Sequence, residues 1–161
     1  RAILGTVESG FQSVGSNLQG VRLRAALTEA LRLATEVNRY LDTAAPWFTI
    51  KTDKTATATT IYTALRAIDS LKVLFAPFLP FSSERLHTYL GYTQPLFGEQ
   101  FIEEESDSLG THTVLRYNPE KASGKWEPSQ LPAGQRLQPP APLFKKLDES
   151  IAEEERARLG K

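Results

Sequence analysis

The chain has 161 residues, 40% hydrophobic and 24% charged, and its nineteen basic side chains are balanced by nineteen acidic ones. This length and composition suit a single globular domain with a real core. The absence of cysteine excludes disulfides and thiolate metal sites, and two histidines, His87 and His112, are too few for most zinc or iron sites.

No apolar run is long enough to cross a bilayer, and the opening RAILGTVESG lacks the charged-then-apolar pattern of a secretion signal. A cytoplasmic location is therefore expected, with no membrane partner. A net charge of zero argues against a protein that holds nucleic acid chiefly by neutralising phosphates. If this one binds RNA, it does so through a few local contacts.

In chain order, the spacing predicts a first helix over about Arg1 to Val14, ended by Gly15 and Ser16-Asn17. It starts without a cap, as the remainder of a longer helix would. A second helix is predicted from about Val21 to Ala44, with Leu23, Leu27, Leu31, Ala34, Val37 and Leu41 as its apolar stripe. Pro46 fixes its end. A third follows Lys51-Thr52-Asp53-Lys54, with Asp53 or Thr52 as cap. Its stripe is Leu65, Ile68, Leu71 and Phe75, although β-branched Thr55, Thr57, Thr59 and Thr60 argue for a later start. Pro77 and Pro80 bracket a turn. A fourth helix runs from Ser82 to Leu90, capped by Ser82 or Ser83 and stopped by Gly91.

Seven of the ten prolines lie beyond residue 94, so extended chain running over a surface is expected there. Phe97, Phe101, Tyr117, Trp126 and Phe144 are too many aromatics for a disordered linker. The acidic run Glu103-Glu104-Glu105 with Asp107 reads as a solvated loop, a divalent-ion site being the rarer alternative. A last helix is expected from Asp148 to Leu159, with acids first and Arg156 and Arg158 last, as the helix dipole favours.

The stretch richest in chemistry is Asn38-Arg39-Tyr40-Leu41-Asp42-Thr43-Ala44-Ala45-Pro46-Trp47. A helix ends, a proline blocks its continuation, and an indole follows at once. Two readings stand on pattern alone. Trp47 packs into the core beside Phe48, which pattern favours, or it stands exposed on a rigid corner as a platform for an unstacked base.

The residues Asn38-Arg39-Tyr40, Asp42 and Ala45-Pro46-Trp47, with Lys51 close behind, resemble the methionyl-tRNA synthetase pattern N-R-Y-x-D-x-x-A-P-W. Leu74-Phe75-Ala76-Pro77-Phe78-Leu79-Pro80-Phe81 with Ser83-Glu84-Arg85-Leu86 is similar to a turn shared by class I synthetases of hydrophobic amino acids. Pro142-Leu143-Phe144-Lys145-Lys146-Leu147-Asp148 resembles the P-L-F-x-K-I-D stretch near the end of this family's bundle. The resemblance implies an all-α, up-and-down anticodon-binding bundle over 1–91, a proline-rich segment over 92–147 that packs back on it, and a C-terminal helix over 148–161.

It also implies that Trp47 stacks on the first anticodon base, a cytosine, and that Arg1 hydrogen-bonds anticodon bases. By the resemblance the carboxylate of Asp42 lies near the site and repels a wrong loop; on pattern alone it reads equally as a solvated helix-end acid. Asn38, Arg39 and Tyr40 either surround the ring with donors and charge, or Asn38 and Tyr40 shape the corner and Arg39 is a surface cation, which pattern favours for Arg39. The implied partners are the anticodon loop of the methionine tRNA and a catalytic domain of the same polypeptide. The family's H-I-G-H and K-M-S-K-S motifs are absent from this chain, so no catalytic residue, metal or cofactor is expected in it. ATP, and zinc if any, belong to the rest of such an enzyme. Two rival readings are the equivalent domain of a leucine, valine or cysteine enzyme, and a helical protein-binding module anchored by Trp47.

Overall fold

The computed structural model describes residues 2–159. Six helices make the body: α1 (Ala2–Glu8), α2 (Gly10–Gln19), α3 (Leu23–Ala44), α4 (Pro46–Thr49), α5 (Lys54–Phe75) and α6 (Pro80–Tyr89). The fold is largely helical, as the sequence leads one to expect, but it also carries an antiparallel hairpin. Its strands β1 (Glu99–Asp107) and β2 (Gly110–Asn118) pair Glu99 with Asn118 at one end and Asp107 with Gly110 at the other. Helix α7 (Ser150–Leu159) closes the described chain, with the Asp148 carboxylate accepting from the Ser150 amide at 3.0 Å.

Helices α1 and α2 form an almost continuous rod that passes straight through Gly15. The rod stops later, at Gln19, because the chain turns there with Val21 in the left-handed region. The Arg22 amide bonds to Asn17 O at 2.8 Å and the Val21 amide to Leu18 O at 2.9 Å, a helix-ending pair of bonds. Gly15 has a packing role instead. The Trp126 indole covers it, donates from Nε1 to Phe11 O at 2.9 Å and meets the Phe11 ring edge-on.

The core lies between α1, α2, α3 and α5: Val7, Val14, Ala26, Ala30, Leu33, Val37, Ala67, Leu71 and Leu74. On α3 the buried row is therefore Ala26-Ala30-Leu33-Val37, rotated from the predicted leucine stripe. Leu23 and Leu31 are exposed and Leu27, Ala34 and Leu41 flank the row. Small residues at 26 and 30 let the helices approach, which leaves the larger leucines at the rim. Helix α5 starts at Lys54 despite its threonines. Asp53 caps it by accepting from the Ala56 amide at 2.9 Å, and the Thr57 and Thr59 hydroxyls bond back to Asp53 O and Thr55 O at 2.8 and 3.0 Å. Helix α6 opens on Pro80 at its first turn, two residues before the predicted serine cap.

The proline-rich chain is fastened to the bundle by polar contacts. Tyr62 OH donates to Leu131 O at 2.9 Å, Arg66 to Ser129 O at 2.8 Å, and the Glu84 carboxylate receives the Leu96 amide at 3.1 Å. Beneath these lies a buried cluster. The Lys72 ammonium donates to Asp69 Oδ1 at 2.6 Å and to His87 Nδ1 at 2.8 Å, while Asp69 Oδ2 receives the hydroxyls of Tyr92 and Ser129 at 2.9 and 2.6 Å. His87, on α6, is 3% exposed and stacked on Tyr92. An ammonium can only donate, so Nδ1 accepts and Nε2 carries the proton, facing Gln94 O at 3.0 Å and Ser123 Oγ at 2.9 Å.

Burial and the neighbouring Lys72 charge hold the His87 pKa below its ordinary value, although Gln94 O, Glu84 and Asp69 pull the other way. Below pH about 6.5 the unfolded chain then takes up a proton that the folded chain refuses, so stability falls with pH until the folded-state pKa is reached. Urea titrations between pH about 7.5 and 5 should show this slope in the parent and its loss in His87→Gln. A stability difference between the two that stays constant with pH would refute it.

Candidate nucleic-acid interface

The corner after α3 is built from three features. Ala45 adopts φ +40°, ψ +59°, in the left-handed region, and its amide closes on Leu41 O at 2.8 Å. An L residue there is strained, and the bulk of that conformation ends the helix. Pro46 then sits at the first position of the one-turn helix α4, where its missing N–H costs nothing, and it is buried. The hydroxyls of Thr49 and Thr57 meet at 2.8 Å, which pins α4 against α5. Trp47 is thus the second residue of a short, fastened helix.

Of the two readings the sequence leaves open for Trp47, the structure gives the exposed one. The indole is 51% exposed, and Phe48, its expected core companion, is 73% exposed. Their centroids lie 6.3 Å apart with the planes at 62°. The core is formed without either ring. Asn38 and Asp42, four residues apart, share one exposed side of α3. Arg39 points to solvent and pairs with Glu36 one turn back, while Tyr40 is half-buried. Among the described residues, no hydrogen bond joins the side chains of Asn38, Tyr40, Asp42 or Trp47 to another group. The structure therefore brings these residues to one end of α3 without linking them to each other. Arg1 lies outside the described residues.

Phe48 is the residue that sequence reasoning misplaced. Its signal was available in the order of residues: Pro46 takes the buried position on α4, so the next two aromatic rings are left to share the outside of a single turn. Besides Arg39, the cations that follow the corner in the chain are Lys51 and Lys54, both exposed.

Elsewhere the surface offers less chemistry. The acidic run is strand β1, in which Glu103 and Glu105 share a face with Arg116 and pair with it at 2.9 and 2.7 Å, while Glu104 falls on the other face. Alternation along a strand splits the run, and no group of acids or histidines among the described residues is placed to hold a metal. None of the described helices is long and apolar enough to cross a membrane.

The family described as the anticodon binding domain of methionyl tRNA ligase matches residues 1–109. A methionine–tRNA ligase of Thermomicrobium roseum is 54% identical over 98% of this chain, and one of Chloroflexus aggregans is 50% identical over 98%. A more distant one, from Thermobifida fusca, is 38% identical over 99% of the chain. The chain spans only about a quarter of the length of these relatives, 26% to 27%.

Proposed function

The chain belongs to the family of anticodon-binding domains of methionyl-tRNA ligase, and on that premise we propose that it recognises the CAU anticodon of the methionine tRNA. Trp47 serves as the stacking platform. In this reading residues 1–91 form the recognition bundle, 92–147 brace it, and 148–161 close it. The remaining three quarters of the ligase would use ATP to activate methionine in the cytoplasm. This chain supplies binding and selection.

What carries the reading is the Trp47 ring, half exposed on a turn fixed by Pro46 and by the Thr49–Thr57 contact. A ring already held in place loses little entropy when a base stacks on it. Every base has a π-face, so stacking gives affinity without choosing cytosine. Choice needs hydrogen bonds to the base edge, for which Arg1 and then Asn38 are the candidates. Asp42, Arg39 and Tyr40 complete the surroundings, Asp42 as the carboxylate that disfavours wrongly placed phosphates.

Trp47→Ala in the full-length ligase should therefore weaken every anticodon stem-loop, matched or not, by roughly 1–3 kcal/mol. Arg1→Gln should chiefly erode the preference for CAU over a loop with its first base changed. Titrations of both variants with the two stem-loops at one salt concentration test this. Parent-like binding of the CAU loop by Trp47→Ala would remove the stacking role.

A further inference from the structure

We propose that Phe48 is a second base-stacking face, which takes another unstacked nucleotide of the same RNA loop that Trp47 engages. The proposal rests on reading this corner as an RNA site. It starts from an oddity: a phenyl ring 73% exposed, next in sequence to an indole 51% exposed, on a helix of four residues. The core has no use for the ring, because Pro46 takes the buried position on that turn.

The geometry favours two separate bases over one. The ring planes are inclined at 62°, with centroids 6.3 Å apart. A flat base parallel to the indole cannot also lie parallel to the phenyl ring. Neighbouring bases in a stacked strand are parallel to each other, so a strand that fills both faces must have its bases splayed apart. That is the state in which the loops of single-stranded RNA are read. The Thr49–Thr57 hydroxyl pair at 2.8 Å and the Thr57 bond to Asp53 O at 2.8 Å hold the turn that carries both rings. The backbone beneath both rings is therefore held before the RNA arrives.

The charge around the rings agrees. No carboxylate stands in the sequence between Asp42 and Asp53, and the exposed Lys51 follows Phe48 by one turn. The phosphate that joins two splayed nucleotides meets a cation there. The other occupant of such a patch would be a protein surface covering Trp47, Phe48 and the half-exposed Ile50 together.

The test uses the full-length ligase and CAU stem-loops in which one loop nucleotide at a time is a fluorescent analogue that keeps the pairing edge of the base it replaces, 2-aminopurine for adenine and pyrrolocytosine for cytosine, since stacking on a ring quenches its fluorescence. Phe48→Ala should weaken binding roughly 5- to 150-fold, the span of one base–aromatic stack. It should also restore fluorescence at one loop position, different from the position restored by Trp47→Ala. Phe48→Tyr, which keeps the π-face, should behave as the parent, whereas Phe48→Leu, which keeps only the apolar bulk, should behave as Phe48→Ala.

Parent-like affinity and fluorescence in Phe48→Ala would overturn the proposal, and so would parent-like binding by Phe48→Leu. A lowered unfolding midpoint in Phe48→Ala with every fluorescence signal unchanged would also overturn it, by making the ring a contact within the protein. Loss of binding in Phe48→Ala with none in Trp47→Ala would remove the role given to Trp47 above and leave that of Phe48 standing.

Discussion

Asp69→Ala is expected to destabilise the protein by about 3–5 kcal/mol, because it strands a buried charge. Asp69 and Lys72 are 3% and 4% exposed, and the carboxylate receives the Lys72 ammonium together with the hydroxyls of Tyr92 and Ser129. Alanine would leave the ammonium facing His87 Nδ1 and the Tyr92 ring, whose centroid is 4.4 Å away. Neither carries a compensating negative charge.

The expected loss reflects the penalty on what remains and not the worth of the pair. Replacing both partners by apolar residues of similar size, Asp69→Leu with Lys72→Met, should therefore recover the part due to the stranded ammonium, but not the part due to Tyr92, Ser129 and His87, which lose their partners. Burial already holds the Lys72 pKa below its ordinary value against the pull of Asp69, and removal of the carboxylate lowers it further. The unfolded chain then holds the proton up to pH about 10.4 while the folded chain gives it up sooner. Asp69→Ala should consequently regain stability as the pH rises toward that value, by the same proton linkage. Urea denaturation at two pH values measures both effects. A loss under about 1 kcal/mol would place it among ordinary substitutions and show the cluster to be open to water.

This cluster also marks the limit of what pattern reveals. The helix ends were largely legible, since Asp53, Pro46 and Gly91 act within a few residues of themselves. Lys72 sits at a core position of the α5 stripe, and that should have flagged a buried pair three residues apart with Asp69. The partners His87, Tyr92 and Ser129 are brought in only by tertiary folding, so no local spacing announces them.

The hairpin was hidden for a different reason. Its residues are almost all exposed on both faces, so neither strand shows the buried-and-exposed alternation by which a half-buried strand is recognised. Gly110, at φ +108°, was the readable sign of the turn. At the candidate site, the order Pro46-Trp47 located the corner correctly, and the burial of Pro46 leaves Trp47 outside, but the left-handed turn at Ala45 was not legible. An alanine in the left-handed region is a feature of the whole packed corner, and nothing in the neighbouring sequence requires it.

The same distinction between pattern and packing gives the last prediction, a contrast between two leucines on α3. Leu33 is fully buried, and its side chain meets Gly10 of α2, where even a methyl group would collide with Leu33 and Leu74. Leu33→Ala removes a side chain from the closest approach of three helices. Gly10 has no side chain of its own to fill the space that Leu33 occupies against it. The expected loss is about 2–5 kcal/mol, from lost transfer energy and a cavity that stays open.

Leu31 looks equivalent in sequence, and the apolar spacing of α3 makes it part of the stripe. It is 53% exposed, on the rim of a shallow apolar hollow that it shares with Leu143 and Phe144. Water already reaches it, and the neighbouring chain can settle into the gap. Leu31→Ala should cost less than about 1 kcal/mol. Paired urea or thermal denaturation curves decide the matter. If the two variants lose equal stability, the rotation of the α3 face that buries Ala26, Ala30, Leu33 and Val37 is wrong.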